Sequence, residues 1–174
     1  MQQTAIRQRN KVAKDLDDIL QQIQQKPGFG NFLRTESKEY LLSSAYEGPV
    51  VVLNVTQLRS DAVLITREQI TSISLPQLSH DAVDKHFGSR GAKNNNESKR
   101  ILLEWLWKAA VQPVLCELGF YPKVVGPLPR IWWIGVGLMA QAPIHAAAKY
   151  KKGSLKIITL QYCIQSYTST IRAL

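Results

Sequence analysis

Cysteine is scarce in this chain: two in 174 residues. Cys116 and Cys163 lie far apart, with no CxxC pair and no histidine at ligand spacing, so a disulfide framework and a zinc ligand set are both excluded. Two thiols in a reducing compartment are expected instead, with one disulfide between them as the alternative. Histidine is also sparse, with three residues. Long hydrophobic runs are missing. The longest mostly apolar stretch, Ile131 to Ala148, is broken by Gly135, Gly137, Gln141, Pro143 and His145, short of the roughly 20 apolar residues that span a bilayer. Met1-Gln2-Gln3-Thr4 opens the chain without an apolar signal region. A soluble, cytoplasmic protein with no membrane contact is the expectation. Nucleotide loops are wanting too. No GxxxxGK[ST] occurs, and Gly135-Val136-Gly137 lacks its third glycine, since position 140 is Ala and Pro143 falls where a long helix should run. No cofactor is therefore expected.

The chain has ordinary globular composition, 45% hydrophobic and 20% charged, enough for one domain with a real core. Lys and Arg number 22 against 13 Asp and Glu, a net charge of +9. That surplus favours acidic partners and is silent about fold. Much of it sits in the first fourteen residues and in the polar stretch 87–99, GSRGAKNNNES between its end residues. A segment this poor in apolar residues cannot offset its chain entropy and reads as a disordered insertion. Solvated charge explains +9 more simply than nucleic-acid binding, which wants basic residues interleaved with exposed aromatics.

Helical spacing runs from Thr4 to Gln25, where Val12, Leu16, Ile19 and Ile23 recur at steps of four, three and four. Asp15, Asp17 and Asp18 share the opposite side, so one face is expected to be buried. Pro27-Gly28 stops the helix, and Phe29 and Phe32 are expected to tuck under the next segment of chain. A short helix is expected over 37–45. Pro49 to Val55 is β-branched and apolar on both faces, as in an interior strand covered on two sides. Strands are expected over 62–66 and, more weakly, 70–75, joined by antiparallel hairpins. The strongest helix covers 98–118, with Pro113 inside it as a kink or break and Gly119 as its cap. Arg130 to Ile134 reads as a central strand ending in a tight Gly-Val-Gly passage. A basic loop comes next, through Lys149 to Lys156, then a strand-like stretch over 157–166 and the beginning of a helix over 168–174. The class is α/β: a small mixed sheet flanked by helices.

The chemical candidates are few. His80 and His86 flank the polar insertion and are expected in solvent. His145 lies just beyond a central strand, on the side of an α/β sheet where active sites gather. Cys163 sits in an apolar run, where a thiol is an inert packing group, and Cys116 lies at the helix end that disfavours a thiolate. A His145–Cys163 dyad is thus weaker than a hydrogen-bonded, structural His145. Trp105/Trp107 and Trp132/Trp133 read as core and half-buried packing. Asp15, Asp17 and Asp18 belong to a solvated helix face. No catalytic, cofactor-binding or metal-ligating set emerges.

Five blocks nevertheless stand in a recognisable order. They are IQQKPGFGNFL (23–33), GPVVVLNVTQLRSDAVLIT (48–66), LLEWLWKAAVQPVLCELG (102–119), PRIWWIGVGLMAQAPIHAA (129–147) and SYTSTIRAL (166–174). In this order they resemble the N-terminal part of a CHAT domain, the caspase-like module found after tetratricopeptide repeats. The tryptophan pair and Asn-rich insertion are similar to the variety in filamentous fungi, although Ser169 stands where many relatives carry Pro. The resemblance implies residues 1–26 as an N-terminal amphipathic helix or linker and 27–174 as the pseudo-caspase-like part of a three-layer fold. Active members resemble clan CD cysteine peptidases, whose dyad comes from segments similar to H-F-A-[TC]-H-G and L-S-A-C-x-T-A, both downstream of the S-Y-T block. Neither motif occurs here. The resemblance therefore implies a truncated, catalytically silent half, a scaffold or regulator in cell-death or defence signalling. Its partner would be the C-terminal CHAT half or an upstream repeat domain. The alternatives are a self-sufficient hydrolase using Cys163 and His145, or a basic nucleic-acid-binding module.

Overall fold

The computed structural model describes residues 2–30, 32–88, 96–122, 126–150 and 157–174. Two compact units divide the chain, Met1–Ser37 and Lys38–Leu174.

The first unit is helix α1 (Gln2–Gln24) and the turn after it. Its stripe stands in solvent: Val12, Leu16 and Ile19 are all more than half exposed, against the expectation of a buried face. The turn is closed by polar bonds rather than by a core. Gln24 Nε2 donates to the Phe32 carbonyl at 2.7 Å, and Arg34 Nε donates to Gln24 Oε1 at 3.1 Å. Phe29 and Phe32 meet edge to face at 6.3 Å and remain 50% and 38% exposed, so they are not tucked away.

The second unit carries the sheet. After α2 (Lys38–Ser44) come β1 (Val50–Val55), β2 (Ser60–Ile65) and β3 (Ile70–Ser74). The three strands form the expected antiparallel hairpins, Val50 facing Ile65 and Ile65 facing Ile70. Thr56 and Thr66 close the two turns alike, each taking backbone N–H bonds from the residues two and three on. β4 (Arg130–Gly135) lies parallel to β1, and β7 (Ile164–Tyr167) parallel to β4, giving the order β3-β2-β1-β4-β7. The fold is a mixed α/β sheet with helices, as the sequence leads one to expect. A second, two-stranded sheet pairs β5 (Ala148–Lys149) with β6 (Ile157–Ile158).

Alternation along the strands separates two faces. Val51, Leu53, Ala62, Leu64, Ile131 and Trp133 enter the larger core, beneath the long helical segment. Val50, Ile65 and Ile134 form the smaller one, with Ala45 after α2 and Ile171 from a 3₁₀ turn. That second face is thinly covered, because Val52, Val63 and Trp132 are only half-buried. The doubly covered strand read from PVVVLNV is well covered on one side only.

The long segment is α4 (Asn96–Leu106), a π-helical turn over Trp107–Val111, and α5 (Gln112–Glu117). Pro113 explains the wide turn. It has no N–H to donate, and its ring would strike the carbonyl four residues back; the π turn opens that space. The helix is re-routed rather than broken. At its end Gly119 adopts φ +67°, its N–H bonds to the Cys116 carbonyl, and Phe120 N–H reaches the Leu115 carbonyl, a Schellman cap.

Three expectations need correction. Helix α3 (His80–Phe87) was not anticipated, although Ser79 caps it by accepting from Ala82 N–H, and Leu78 and Val83 are buried in one core as a hydrophobic staple. The polar insertion is narrower than 87–99: Phe87 closes α3 and Asn96 opens α4, while 89–95 lie outside the described residues. The stretch 157–166 is two short strands separated by a 3₁₀ turn, and 168–174 holds only another such turn. Most of the basic loop, 151–156, also lies outside the described residues.

Candidate functional site

The parallel strands β4 and β7 end at the same edge, the usual place for a site in an α/β sheet. A cleft of about 410 Å³ opens there, lined by Trp133, Gly135, Met139, Ile144, Tyr167 and Thr168. The chain makes room for it with glycine. A Cβ at Gly135 would overlap the Met139 carbonyl, so only glycine lets the chain double back so closely, and Gly137 turns at φ +61°. Gly137–Gln141 then forms a five-residue 3₁₀ turn. It is no long helix whose N-terminus could cradle a phosphate.

His145 is exposed at the rim. Its backbone N–H donates to the Tyr167 hydroxyl at 2.8 Å, and its Nδ1 lies 3.0 Å from the same oxygen. The hydroxyl accepts one bond and has its own proton free for Nδ1. Burial pushes the Tyr167 hydroxyl pKa up, against the opposing bond from His145. This is a positioned imidazole.

Cys163 is fully buried. Its Sγ accepts a bond from Gln165 Nε2 at 2.8 Å, and Gln165 Oε1 accepts from the Trp133 indole N–H. Burial raises the thiol pKa to about 12, outweighing the lowering by Gln165. At neutral pH it is a thiol and not a nucleophile. His145 and Cys163 are thus engaged by Tyr167 and by Gln165 respectively. Gln165 and Tyr167 are the residues the sequence reading missed. Their signal was the period of two that places Gln165 and Tyr167 on one face of β7, in step with Cys163 just before it.

Thr159, buried beneath this region, donates Oγ1 to the carbonyls of Ile144 at 3.2 Å and Ala147 at 2.8 Å. It ties the 3₁₀ turn that carries His145 to the chain preceding β7. Arg130 belongs to the opposite edge, with Nη1 donating to Ser166 Oγ at 2.5 Å and Nε 4.0 Å from a Glu47 carboxylate oxygen. There, a second cleft of about 400 Å³ includes Arg67, which lies 4.3 Å over the Tyr46 ring and donates to the Tyr46 carbonyl. Both arginines are committed within the fold.

The other candidates are scattered. Cys116 is exposed on α5 and unpaired. His80 starts α3 with Asp81 3.7 Å away. His86 is half-buried rather than free in solvent: it stacks on Trp105 at 4.5 Å, and burial, then Lys85, lowers its pKa. Trp105 donates to the Gln77 carbonyl at 3.3 Å, while Trp107 is buried with its indole N–H unpartnered among the described residues. Asp15, Asp17 and Asp18 are exposed on α1. Among the described residues, no three His, Cys, Asp or Glu side chains are grouped to hold a metal, and no helix is long and apolar enough to cross a membrane.

Compared with known families and curated proteins, the chain matches no family model and no curated protein.

Proposed function

We propose that this chain is the non-catalytic, pseudo-caspase-like part of a CHAT-type module, a scaffold or regulatory half in cytoplasmic cell-death or defence signalling. The observation that carries the reading is the state of Cys163, buried, hydrogen-bonded to Gln165 and protonated to about pH 12. A cysteine peptidase needs an accessible thiolate with a base in reach and backbone donors for the oxyanion; His145 is held by Tyr167 instead. Strand β7 gives the scaffold its working surface. Among the described residues it pairs on one side only, with β4, and carries Ile164 and Tyr167 44% and 46% exposed. An edge of that kind is a template for an added strand, which the C-terminal half of the module would supply; an upstream repeat domain is the other partner class. Two unpaired thiols suit a reducing, cytoplasmic setting.

The test is labelling with a thiol-reactive peptidyl probe at neutral pH. Modification is expected at exposed Cys116 alone, slowly and without peptide selectivity. Rapid, peptide-selective labelling that disappears in Cys163→Ala would sink the proposal and favour a self-sufficient hydrolase.

A further inference from the structure

A third cleft, of about 290 Å³, lies where β1 ends, β2 begins and β3 leaves the sheet. Ser60, the first residue of β2, lines it and is only 5% exposed. Its carbonyl accepts from Leu75 N–H at 2.8 Å, while its hydroxyl and its own N–H have no partner among the described residues. Donors left unpaired on a buried residue are costly unless an acceptor comes to them. The turn after β3 brings more donors to the same place. Leu78 N–H bonds to the Leu75 carbonyl at 2.9 Å, and Ser79, the next residue, caps α3. Ser79 Oγ accepts from Ala82 N–H and keeps its own proton to donate. The N–H groups of His80 and Asp81, in the first turn of α3, are also unpartnered among the described residues. No acidic residue lines the cleft, and its ionisable members are Arg59 and His80. Asp61 takes the Arg59 Nε at 2.8 Å and leaves the two terminal nitrogens. Asp81 Oδ1 stands 3.7 Å from His80 Nδ1, on a side chain in full solvent.

We propose that this cleft binds the phosphate group of a small molecule, either free phosphate or a phosphate monoester. Every free polar group named at the site is a donor: the Ser60 hydroxyl and N–H, the Ser79 hydroxyl, and the two N–H groups that open α3. A ring of donors without an acceptor suits an oxyanion, and the start of a helix adds the positive end of its dipole. Phosphate fits best, because its several oxygens take bonds from several directions and its charge strengthens each of them. Arg59 adds a full positive charge at the mouth. Leu75 and Pro76 give an apolar wall for a short carbon body. The volume lies at the small end of ligand pockets, which begin near ~300 Å³, so the ligand is of sugar-phosphate size. The site stands apart from the His145–Tyr167 pair and needs no chemistry from it.

The experiment titrates the full chain, labelled with nitrogen-15, with glycerol 3-phosphate and separately with inorganic phosphate at fixed ionic strength. Saturable shifts are expected at the amide signals of Ser60, His80 and Asp81, and glycerol alone should give none. The tighter of the two ligands identifies the source, a monoester or the free ion, and either order supports the site. Ser60→Ala is expected to weaken binding about tenfold, the loss of one hydrogen bond to a charged group. Ser79→Asp is the sharper variant. Aspartate caps a helix as well as serine does, so α3 stays in place, but a carboxylate now occupies the cleft and binding should vanish. Arg59→Gln is expected to weaken binding several-fold, whereas Arg67→Gln, which removes the same charge at another cleft, should leave it unchanged. Three results would each overturn the proposal: no saturable shift at those amides, binding undiminished in Ser79→Asp, or equal losses in the two arginine variants. So would a site that takes a phosphoserine peptide and neither small ligand.

Discussion

Trp132 and Trp133 are neighbours on one strand, yet they inhabit different regions of the molecule. Trp133 points into the larger core, fully buried, and donates its indole N–H to Gln165. Trp132 points to the thin face, half-buried, with the Arg130 guanidinium 5.4 Å from its ring. One face of the sheet is covered by the α4–α5 segment with its π turn; the other has little beyond Ala45 and Ile171. The difference shows where stability is concentrated. One face holds the fold, while the other is finished only in part by the described residues.

The comparison breaks first, if it is wrong, on the tryptophans. Trp133→Ala is expected to cost ~3–5 kcal/mol, the range for a large buried aromatic, and to leave much of the protein unfolded in urea melts at 25 °C. Gly135→Ala comes second at about 2 kcal/mol, because its Cβ meets backbone at Met139; thermal melting checks it. Cys163 comes next and is read in pH. Its folded pKa lies near 12 against an ordinary 9.0, so the unfolded chain releases the proton first as pH rises. Stability contributed by the protonated thiol is complete below pH 9 and is lost toward pH 12, by up to ~1.4 kcal/mol per pH unit. Denaturant titrations across that window should show the slope, and Cys163→Ala should remove it. Trp132→Ala is expected to cost only about 1 kcal/mol; a loss equal to that of Trp133→Ala would erase the distinction between the faces. The smallest effect is at His86. Burial, then Lys85, lowers its pKa below 6.5, so the neutral ring stacked on Trp105 supports the fold above that pH and the support fades as pH falls. A proton NMR titration should place its midpoint below 6.5, with the loss absent in His86→Gln.

Legibility tracked the range of the interactions. The β1–β2–β3 hairpins could be read because neighbours in sequence are neighbours in space, and turn residues such as Thr56 and Thr66 act locally. The stop at Gly119 could be read for the same reason. Helix α3 was overlooked because its staple spans a polar stretch, and its apolar members Val83 and Phe87 are too few for a periodic signal. The π turn could not be read at all: Pro113 announces a disturbance, but whether the helix kinks, breaks or widens depends on packing around it. At the candidate site, the sequence identified His145 and Cys163 as residues to weigh. Their partners Tyr167 and Gln165 belong to a strand whose pairing with β4 joins residues about 34 positions apart, Arg130 to Ile164 and Trp133 to Tyr167.

By itself, then, the sequence determined the α/β class, the hairpin half of the sheet, the approximate span of the long helices and the charge-segregated α1. These rest on propensity, on periods of 2 and 3.6, and on turn chemistry, all of which act within a few residues. Tertiary structure decided the parallel order of β1, β4 and β7, which face of the sheet is deeply buried, and the state of the one candidate thiol. A pKa near 12 for Cys163 comes from the low-polarity surroundings that distant segments assemble around it, and no local pattern encodes those surroundings.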